Sequence, residues 1–434
     1  MIANISAEAV ARVAATAVNL SRIFASSRMR KAAALTCFLI LALSSCAEQD
    51  KPVTNPWTPN EWSLIQSLSL DNLPPLTDPS NRYLGNPQAI QLGSELFFDK
   101  RLSANGQVSC ASCHQPEKFF SDGLTTAQAI GTGTRNTPSI LGVAWNQWFF
   151  WDGRKDSLWS QALGPLEDPK EHNFARTDLA KLVLTDANYQ QKYQTLFGSL
   201  PSAGEIKAWP LDARPSGSIE QIKTWKALSD QERKTIDTTF ANLGKSIAAY
   251  VSTLKPVETR FDQYVADLKA GKAAKQLNDT ELAGLRLFID PKQQCLNCHS
   301  GPLFTNQSFH SIGTGEMGKD TGRAAIIDQV RFDRFNCLGE FSDAPKDTCT
   351  KLQYMQRNRH QLIGAYKTPS LRNVGHTAPY FHNGSKPSLA DVLDHYINSK
   401  DIQAGRADLK AISLTESEKT ALLAFLQTLN AAKP

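Results

Sequence analysis

The pentapeptide pattern Cys-x-x-Cys-His occurs twice in this chain of 434 residues, as "CASCH" at 110–114 and as "CLNCH" at 295–299. The pattern predicts covalent attachment of c-type haem, because two thiols add to the two vinyl groups of the porphyrin and the adjacent imidazole then binds the iron. A four-cysteine zinc site, which would join residues 185 apart, and a redox dithiol are weaker alternatives, since neither needs that histidine. We therefore expect two haem c groups, attached and ligated by Cys110, Cys113, His114, Cys295, Cys298 and His299.

The sequence before the first motif is similar to the sequence before the second. "LGSELFFDKRLSANGQVSCASCH" (92–114) and "LAGLRLFIDPKQQCLNCH" (282–299) share a glycine, then Leu-Phe, then aspartate, then the motif. Each half also contains a later helical pattern, at 230–254 and at 413–430, and Ser413 before Glu416 predicts a capping box for the second of these. The repeat predicts an all-α fold of two tandem cytochrome c-like domains with long loops, each built around one covalently attached haem.

Polar residues at 255–280 mark the expected boundary between these domains. We expect a signal peptide at 1–45, followed by a tether with an N-terminal extension at 46–85. A first domain at 86–260 would carry a peroxide-reactive haem, and a second at 261–434 would carry an electron-transfer haem. Within the second segment, residues 47–60 are rich in Pro, Asn and Thr and are typical of a tether.

The segment "RMRKAAALTCFLILALSSCAEQD" (28–50) has the three-part layout of an export signal, with an apolar run too short to span a bilayer. Within it, "LSSC" (43–46) resembles a bacterial lipobox, which implies lipid attachment to Cys46. Simple cleavage near Ala47 is the alternative. Met29 is a second candidate for the true start. We expect a periplasmic protein that meets a membrane only through a lipid anchor.

The net charge of the chain is concentrated in this leader. Residues 1–45 hold five basic residues and one acidic residue, so they account for +4 of the formal charge of +5. The remainder is close to neutral, which argues against a nucleic-acid partner.

Two further cysteines, Cys337 and Cys349, lie in the polar stretch "CLGEFSDAPKDTC". In an exported chain, a pair with this spacing predicts a disulfide that closes a loop. Two free thiols in a mobile insertion are the alternative.

From about Gln91 to Leu429 the chain resembles the bacterial di-haem cytochrome c peroxidase family, and within it the MauG-like subgroup. The resemblance is carried by "LFFDKRLSANGQVSCASCH", "RNTPSI", "FFWDGRKDSLWSQALGP", "CLNCHSGPLFTNQSFHSIG" and "TPSLRNVGHTAPYFHNG", in this order. It implies a peroxide-reactive first haem and a second haem that transfers electrons.

The resemblance also implies an open first haem. Family members can block this iron with a histidine eight residues before the Asn of the "RN-P" motif, where this chain has Gln128 before Asn136; His172 is the alternative ligand. Family spacing selects Glu171 as the acid–base group that moves the peroxide proton, with Gln161 orienting the peroxide and Pro165 lining the pocket. Glu167 and Asp168, in the same acidic run, are expected to be solvated.

In the family, a ligand of the second haem stands fourteen residues after the histidine of "APYFH", and in most members it is a methionine. This chain has Tyr396 at that position, and MauG also has a tyrosine there. The resemblance thus implies that Tyr396 is a ligand of the second haem iron. The alternative is that Tyr396 is a core residue and that Met355 is the ligand instead. Met317 lies outside the position that the family uses. It further implies that Trp151 lies between the haems. A calcium ion between the domains would be bound by Asn136 and by the carbonyls of Thr377 and Pro379.

The expected function is reduction of hydrogen peroxide, with electrons entering from a small cytochrome, a copper protein or quinol. A MauG-like oxidase, in which a high-valent di-haem state oxidises residues of a partner protein, is the alternative. A plain electron carrier fits less well, because an open iron beside an acid has no use in one.

Overall fold

The computed structural model describes residues 55–314, 320–399, 408 and 411–434. The predicted signal, Cys46 and Met317 lie outside the described residues. Among the described residues, the regular structure consists of helices and one pair of short strands, so the predicted all-α class is confirmed. The α-helices are α1 Pro59–Ser67, α2 Pro87–Phe98, α3 Cys110–Cys113, α4 Leu158–Glu167, α5 Arg176–Thr185, α6 Ala187–Phe197, α7 Ala203–Ala208, α8 Ile219–Ala227, α9 Asp230–Val251, α10 Arg260–Lys269, α11 Asp279–Ile289, α12 Ile327–Arg331, α13 Thr350–Gln353, α14 Leu389–Ile397 and α15 Glu416–Gln427.

The first core forms where α2 crosses α9. Helix α2 starts after Asn86, whose side chain caps the first turn, and it buries the apolar positions Ala89, Leu92 and Leu96 along one face. At the crossing a Cβ on Gly93 would lie 1.8 Å from the carbonyl oxygen of Ser246. Glycine is therefore the residue that lets the two backbones approach this closely.

The second core repeats this arrangement with α11 and α15. A Cβ on Gly284 would lie 2.0 Å from the carbonyl oxygen of Ala421. The shared glycine of the two sequence repeats thus has the same role in both halves. The capping box of α15, however, uses Thr415 and Glu418, so the predicted Ser413–Glu416 box is wrong by two residues.

The two strands are β1 Phe309–Ser311 and β2 Ala365–Lys367, which pair antiparallel with Phe309 opposite Lys367. They lie in the long loops of the second half. Beside them a third, smaller apolar cluster contains Trp148, Val330 and Met355.

The N-terminal extension packs into the second core, although the first half follows it in the chain. Trp57, Ile65 and Leu68 are buried there, and the indole N–H of Trp57 donates to the hydroxyl of Tyr264 at 2.8 Å. Trp57, predicted as part of a tether, is therefore packed into the second core, and α1 begins at Pro59, also inside the predicted tether.

Conversely, a segment of the second half packs into the first core. We call residues 333–349 the strap; its Phe335 and Phe341 are buried in the first core. Cys337 and Cys349 are joined by a disulfide with their Cα atoms 5.7 Å apart, which confirms the predicted bond. Residues 55–434 form one compact unit, and the boundary proposed at 260/261 stays a prediction. Among the described residues, no helix has both the length and the apolar character needed to cross a bilayer.

Candidate haem and peroxide site

A cavity of about 740 Å³ brings together almost all the candidate residues. It is lined by Cys113, His114, Asn136, Trp151, Gln161, Pro165, Glu171, Cys295, Cys298, His299, Thr377, Pro379 and Tyr396. The remaining candidate, Cys110, lines a neighbouring pocket of about 50 Å³ whose wall also includes Cys113, His114 and Glu171. Residues from the two sequence halves thus form one site.

His114 is held in one tautomer. Its Nδ1 lies 3.0 Å from the carbonyl oxygen of Phe120, and a carbonyl only accepts, so Nδ1 carries the proton and donates. The lone pair of Nε2 is left to bind a metal, which is the arrangement that metal-ligating histidines use. Burial lowers the pKa of His114, which keeps the ring neutral as a ligand must be.

His299 repeats this arrangement in the second half. Its Nδ1 donates to the carbonyl oxygen of Phe304 at 2.9 Å, and burial lowers its pKa to about 4. A phenylalanine follows both motifs within six residues, in "CHQPEKFF" and "CHSGPLF", so this pair of acceptors could have been found from the repeat.

The four motif cysteines are all free thiols, and burial raises the pKa of Cys110, Cys113 and Cys295 to about 12. Two thiols stand beside each neutral imidazole at the wall of a large, mainly apolar cavity. This donor set fits two covalently attached haem groups, with His114 and His299 as the iron ligands.

The end of α4 positions the three distal candidates. Gln161 and Pro165 are one turn apart on the cavity face, and the chain turns back after Glu167. The N–H of Glu171 donates to Asp168 O at 3.1 Å, and that of His172 donates to Pro165 O at 3.1 Å. These bonds fold the loop against the helix end and place the Glu171 side chain at the cavity wall.

Glu171 has the environment of an acid–base group. Burial raises its pKa to about 7; the negative charge of Asp168 adds to this rise, and Arg154 opposes it. Glu167, four residues earlier in the chain, is instead paired with buried Arg176, whose Nε lies 3.0 Å from Glu167 Oε1. The expectation that Glu167 is solvated is therefore wrong.

His172 and Gln128 do not face the large cavity. The His172 ring is 2% exposed, its Nδ1 donates to Leu102 O at 2.8 Å, and it lines only the smaller pocket. The Gln128 side chain is exposed and accepts from the Thr132 hydroxyl at 3.0 Å. From residues 55–260, all of them described, His114 is the histidine that lines the large cavity.

Trp151 is bonded to both halves. Its indole N–H donates to Asn136 O at 2.9 Å, and its own carbonyl accepts from the N–H of Lys367 at 2.8 Å. It lines the cavity that both motifs share.

Tyr396 lies on α14 at the wall of this cavity, on the side of the second motif. Burial, with a smaller contribution from Cys298, raises the pKa of its hydroxyl above the usual value. Met355, the fallback ligand, is 7% exposed in the third apolar cluster and does not line the cavity, so the structure gives it no route to an iron.

The three oxygen-bearing candidates for calcium, Asn136, Thr377 and Pro379, all line the cavity. Asn136 Nδ2 donates to Leu124 O at 2.8 Å, which leaves Oδ1 as the side-chain oxygen that can bind a cation. Lys367, at the end of β2, also lines the cavity and was missed in the sequence; its only signal is its place directly before "TPSLRN".

Comparison with known proteins shows which family the chain is similar to. The family model described as "Di-haem cytochrome c peroxidase" matches residues 87–270, and a "RoxA-like, cytochrome c-like" model matches residues 365–400. The methylamine utilization protein MauG of Methylorubrum extorquens is 33% identical over 350 residues, which is 80% of this chain and 79% of that protein. The cytochrome c551 peroxidase of Nitrosomonas europaea is 29% identical over 80% of this chain and 82% of its own length.

Solved structures are similar over most of the chain. The crystal structure of a MauG-like protein associated with microbial copper homeostasis has 25% identity and a TM-score of 0.54, with 89% of this chain and 95% of that chain covered. The di-haem peroxidase BthA from Burkholderia thailandensis E264, at 22% identity, has a TM-score of 0.58 and covers 83% of this chain and 90% of its own. The second likeness concerns the fold alone.

Proposed function

The chain belongs to the di-haem cytochrome c peroxidase family, and we propose that it reduces hydrogen peroxide to two waters in the pocket of His114. The reaction consumes one peroxide, two electrons and two protons. The electrons enter from an external donor, a small cytochrome, a copper protein or quinol, through the half that contains His299. When bound, the haem irons supply single-electron transfer; the chain's own residues hold them and handle the protons.

Glu171 moves the proton. Its carboxylate would take the proton from one peroxide oxygen and give it to the other, which then leaves as water. A carboxyl with a pKa of about 7 suits both steps, since it gains and loses a proton readily near neutral pH. This half-buried carboxyl shares the wall of a large cavity with His114, and His172 does not face that cavity; this is the observation that carries the proposal.

Gln161 and Pro165 confine the substrate. Both line the cavity wall beside Glu171, the amide as a donor and acceptor and the proline as a wall without a backbone N–H. Together they orient a small polar oxidant and limit the room for water.

We further propose Tyr396 as the second ligand on the His299 side. Phenolate ligation favours oxidised iron and would lower the potential there. The pocket supports this role because Tyr396 shares the cavity with Cys298 and His299, whereas Met355 does not reach it.

A second candidate function is a MauG-like oxidase that uses peroxide to oxidise residues of a partner protein. Two observations favour it: Tyr396 at the cavity wall, and 33% identity to the MauG of Methylorubrum extorquens.

Titration of the diferric protein with peroxide, with and without reduced cytochrome, separates the two functions. Rapid oxidation of the cytochrome supports the peroxidase, whereas a long-lived oxidised state that ignores the cytochrome supports the oxidase. A diferric protein that does not react with peroxide at all contradicts both.

Electron paramagnetic resonance tests the ligands. We expect one five-coordinate high-spin and one six-coordinate low-spin signal in the resting protein, and Tyr396→Phe should change only the low-spin signal. Two low-spin signals in the unmodified protein would contradict an open first iron.

Calcium, export and lipid attachment complete the proposal. We expect one calcium ion per chain by elemental analysis, and a lower calcium content in Asn136→Ala.

Mass spectrometry of the mature periplasmic protein should find lipid on Cys46. An unlipidated chain beginning near Ala47 would contradict the anchor.

A further inference from the structure

Lys367 is a half-buried base at the contact between the two halves, and it faces the large cavity. It ends β2 opposite Phe309, and its backbone N–H donates to Trp151 O at 2.8 Å. The next residue is held as well, because Thr368 O accepts from the Thr305 hydroxyl at 2.7 Å. The backbone of Lys367 is therefore fixed where its side chain lines the large cavity.

Within the described part of the chain, the ammonium of Lys367 has no carboxylate partner. Burial alone lowers its pKa, to about 8, and no nearby charge contributes. Two other cations of this wall are paired, Arg135 with Asp152 and Asp320 and Arg372 with Asp262, whereas Lys170 is exposed to solvent.

A buried ammonium without an anion is costly, and proteins avoid it by pairing or neutralising the group. The proposed ligands of this cavity carry the missing charge, since each haem has two carboxylate side chains. Resting on the proposed two-haem site, we propose that the Lys367 ammonium pairs with a haem carboxylate and holds that haem edge beside Trp151.

The ion pair would also change the reduction potential of the haem iron. A positive charge at the haem edge favours the reduced state, which has one positive charge fewer, so Lys367 raises the potential of the haem that it contacts. It is a positioning residue, and its effect appears in an equilibrium measurement that needs no peroxide turnover.

The test uses spectroelectrochemical titration of the purified protein with both haems attached, counted by the pyridine haemochrome assay. Lys367→Met should lower one midpoint potential by at least about 59 mV, which is tenfold in a one-electron equilibrium constant. Lys367→Arg, which keeps the charge, should stay near the unmodified value. Lys223→Met, an exposed change on α8 that does not line the cavity, is the matched control and should leave both potentials unchanged.

Unchanged potentials in Lys367→Met would overturn the proposal, as would an equal shift in Lys367→Arg, which would show that packing matters and charge does not. If Lys367→Met fails to mature, Lys367→Gln replaces it and is compared with Lys367→Arg in the same way. Loss of haem in the two neutral variants alone supports the ion pair, and loss in all three overturns it. Because peroxide is absent, a failure of the proposed peroxidase activity is seen separately.

Discussion

Three carboxylates within five residues, Glu167, Asp168 and Glu171, have three different surroundings. Glu167 pairs with Arg176, Asp168 accepts from the N–H of Lys170 at 2.8 Å, and Glu171 lines the cavity without an ion pair among the described residues. Burial raises the pKa of Glu171 to about 7. At the scale of one side chain, therefore, burial and partner separate the acid–base candidate from its neighbours.

Glu171→Gln should slow the reaction with peroxide by about 10²–10⁴-fold, because the amide cannot accept the proton. Stopped-flow mixing of the diferric protein with peroxide measures the rate. Glu220→Gln, an exposed change on α8, is the control and should leave the rate unaltered. An unchanged rate in Glu171→Gln would remove this residue from the mechanism.

The rate should also rise with pH through about 7, because the ionised form of Glu171 takes the first proton. Asp168→Asn should move this inflection to lower pH: the negative charge of Asp168 disfavours ionisation of Glu171, so its removal lowers the Glu171 pKa. A pH profile of the same rate checks both. An inflection that stays in place, or moves to higher pH, would contradict the assignment.

At the scale of helices, each half depends on one close crossing. Gly93 lies against Ser246 where α2 meets α9, and Gly284 lies against Ala421 where α11 meets α15. Gly93 and Gly284 lie on α2 and α11, the helices that precede the two haem motifs. A change at either crossing would therefore displace the cysteines and the histidine of the motif that follows.

Gly284→Ala should destabilise the protein by about 1–3 kcal/mol, because the added methyl meets backbone at 2.0 Å and the helices must separate. Denaturant unfolding measures the loss, and the spectrum of the second haem should change with it. Gly204→Ala on α7 is the control: its Cβ would meet only Ser202 Oγ, at 3.9 Å, so stability should rise or stay unchanged. Equal effects of the two changes would contradict the crossing argument.

At the scale of the whole molecule, segments exchanged between the halves tie them together. The extension with α1 packs into the second core, and the strap packs Phe335 against Phe240 of the first. Arg334 of the strap lies 2.7 Å from the buried carboxylate of Asp237, which also binds Arg176. The strap therefore reaches, through Arg176, the Glu167 end of the distal helix α4.

Replacing both Cys337 and Cys349 with serine should lower the free energy of unfolding by about 2–4 kcal/mol, because the open strap has more freedom in the unfolded chain. Denaturant unfolding checks this. A reducing agent should cause a similar loss in the unmodified protein and none in the double variant. Unaltered stability in the variant would mean that the strap is held by its side chains alone.

Much of this molecule follows from short-range chemistry that the amino-acid order states directly. The haem motifs, the glycine repeat, the long helices and the pairing of Cys337 with Cys349 depend on spacing and local propensity. The structure confirms the helices and the disulfide, and the family supports two haem c groups, whereas the haem-binding roles of the individual residues stay predictions. Glu171 and Tyr396 were selected by family spacing, and their assigned roles stay predictions. One local signal was ambiguous, since Ser413 and Thr415 both precede a glutamate by three residues, and the structure forms the capping box at Thr415.

The remaining features depend on which surfaces meet. Burial of Trp57 in the second core, the distance of Met355 from the cavity and the lack of a partner for Lys367 among the described residues involve residues far apart in the chain. The pairing of Glu167 with Arg176 spans nine residues, but it too depends on how the chain folds back after α4. No spacing rule reports such contacts, because the free energy of burying a charge or a ring depends on what the folded chain brings against it.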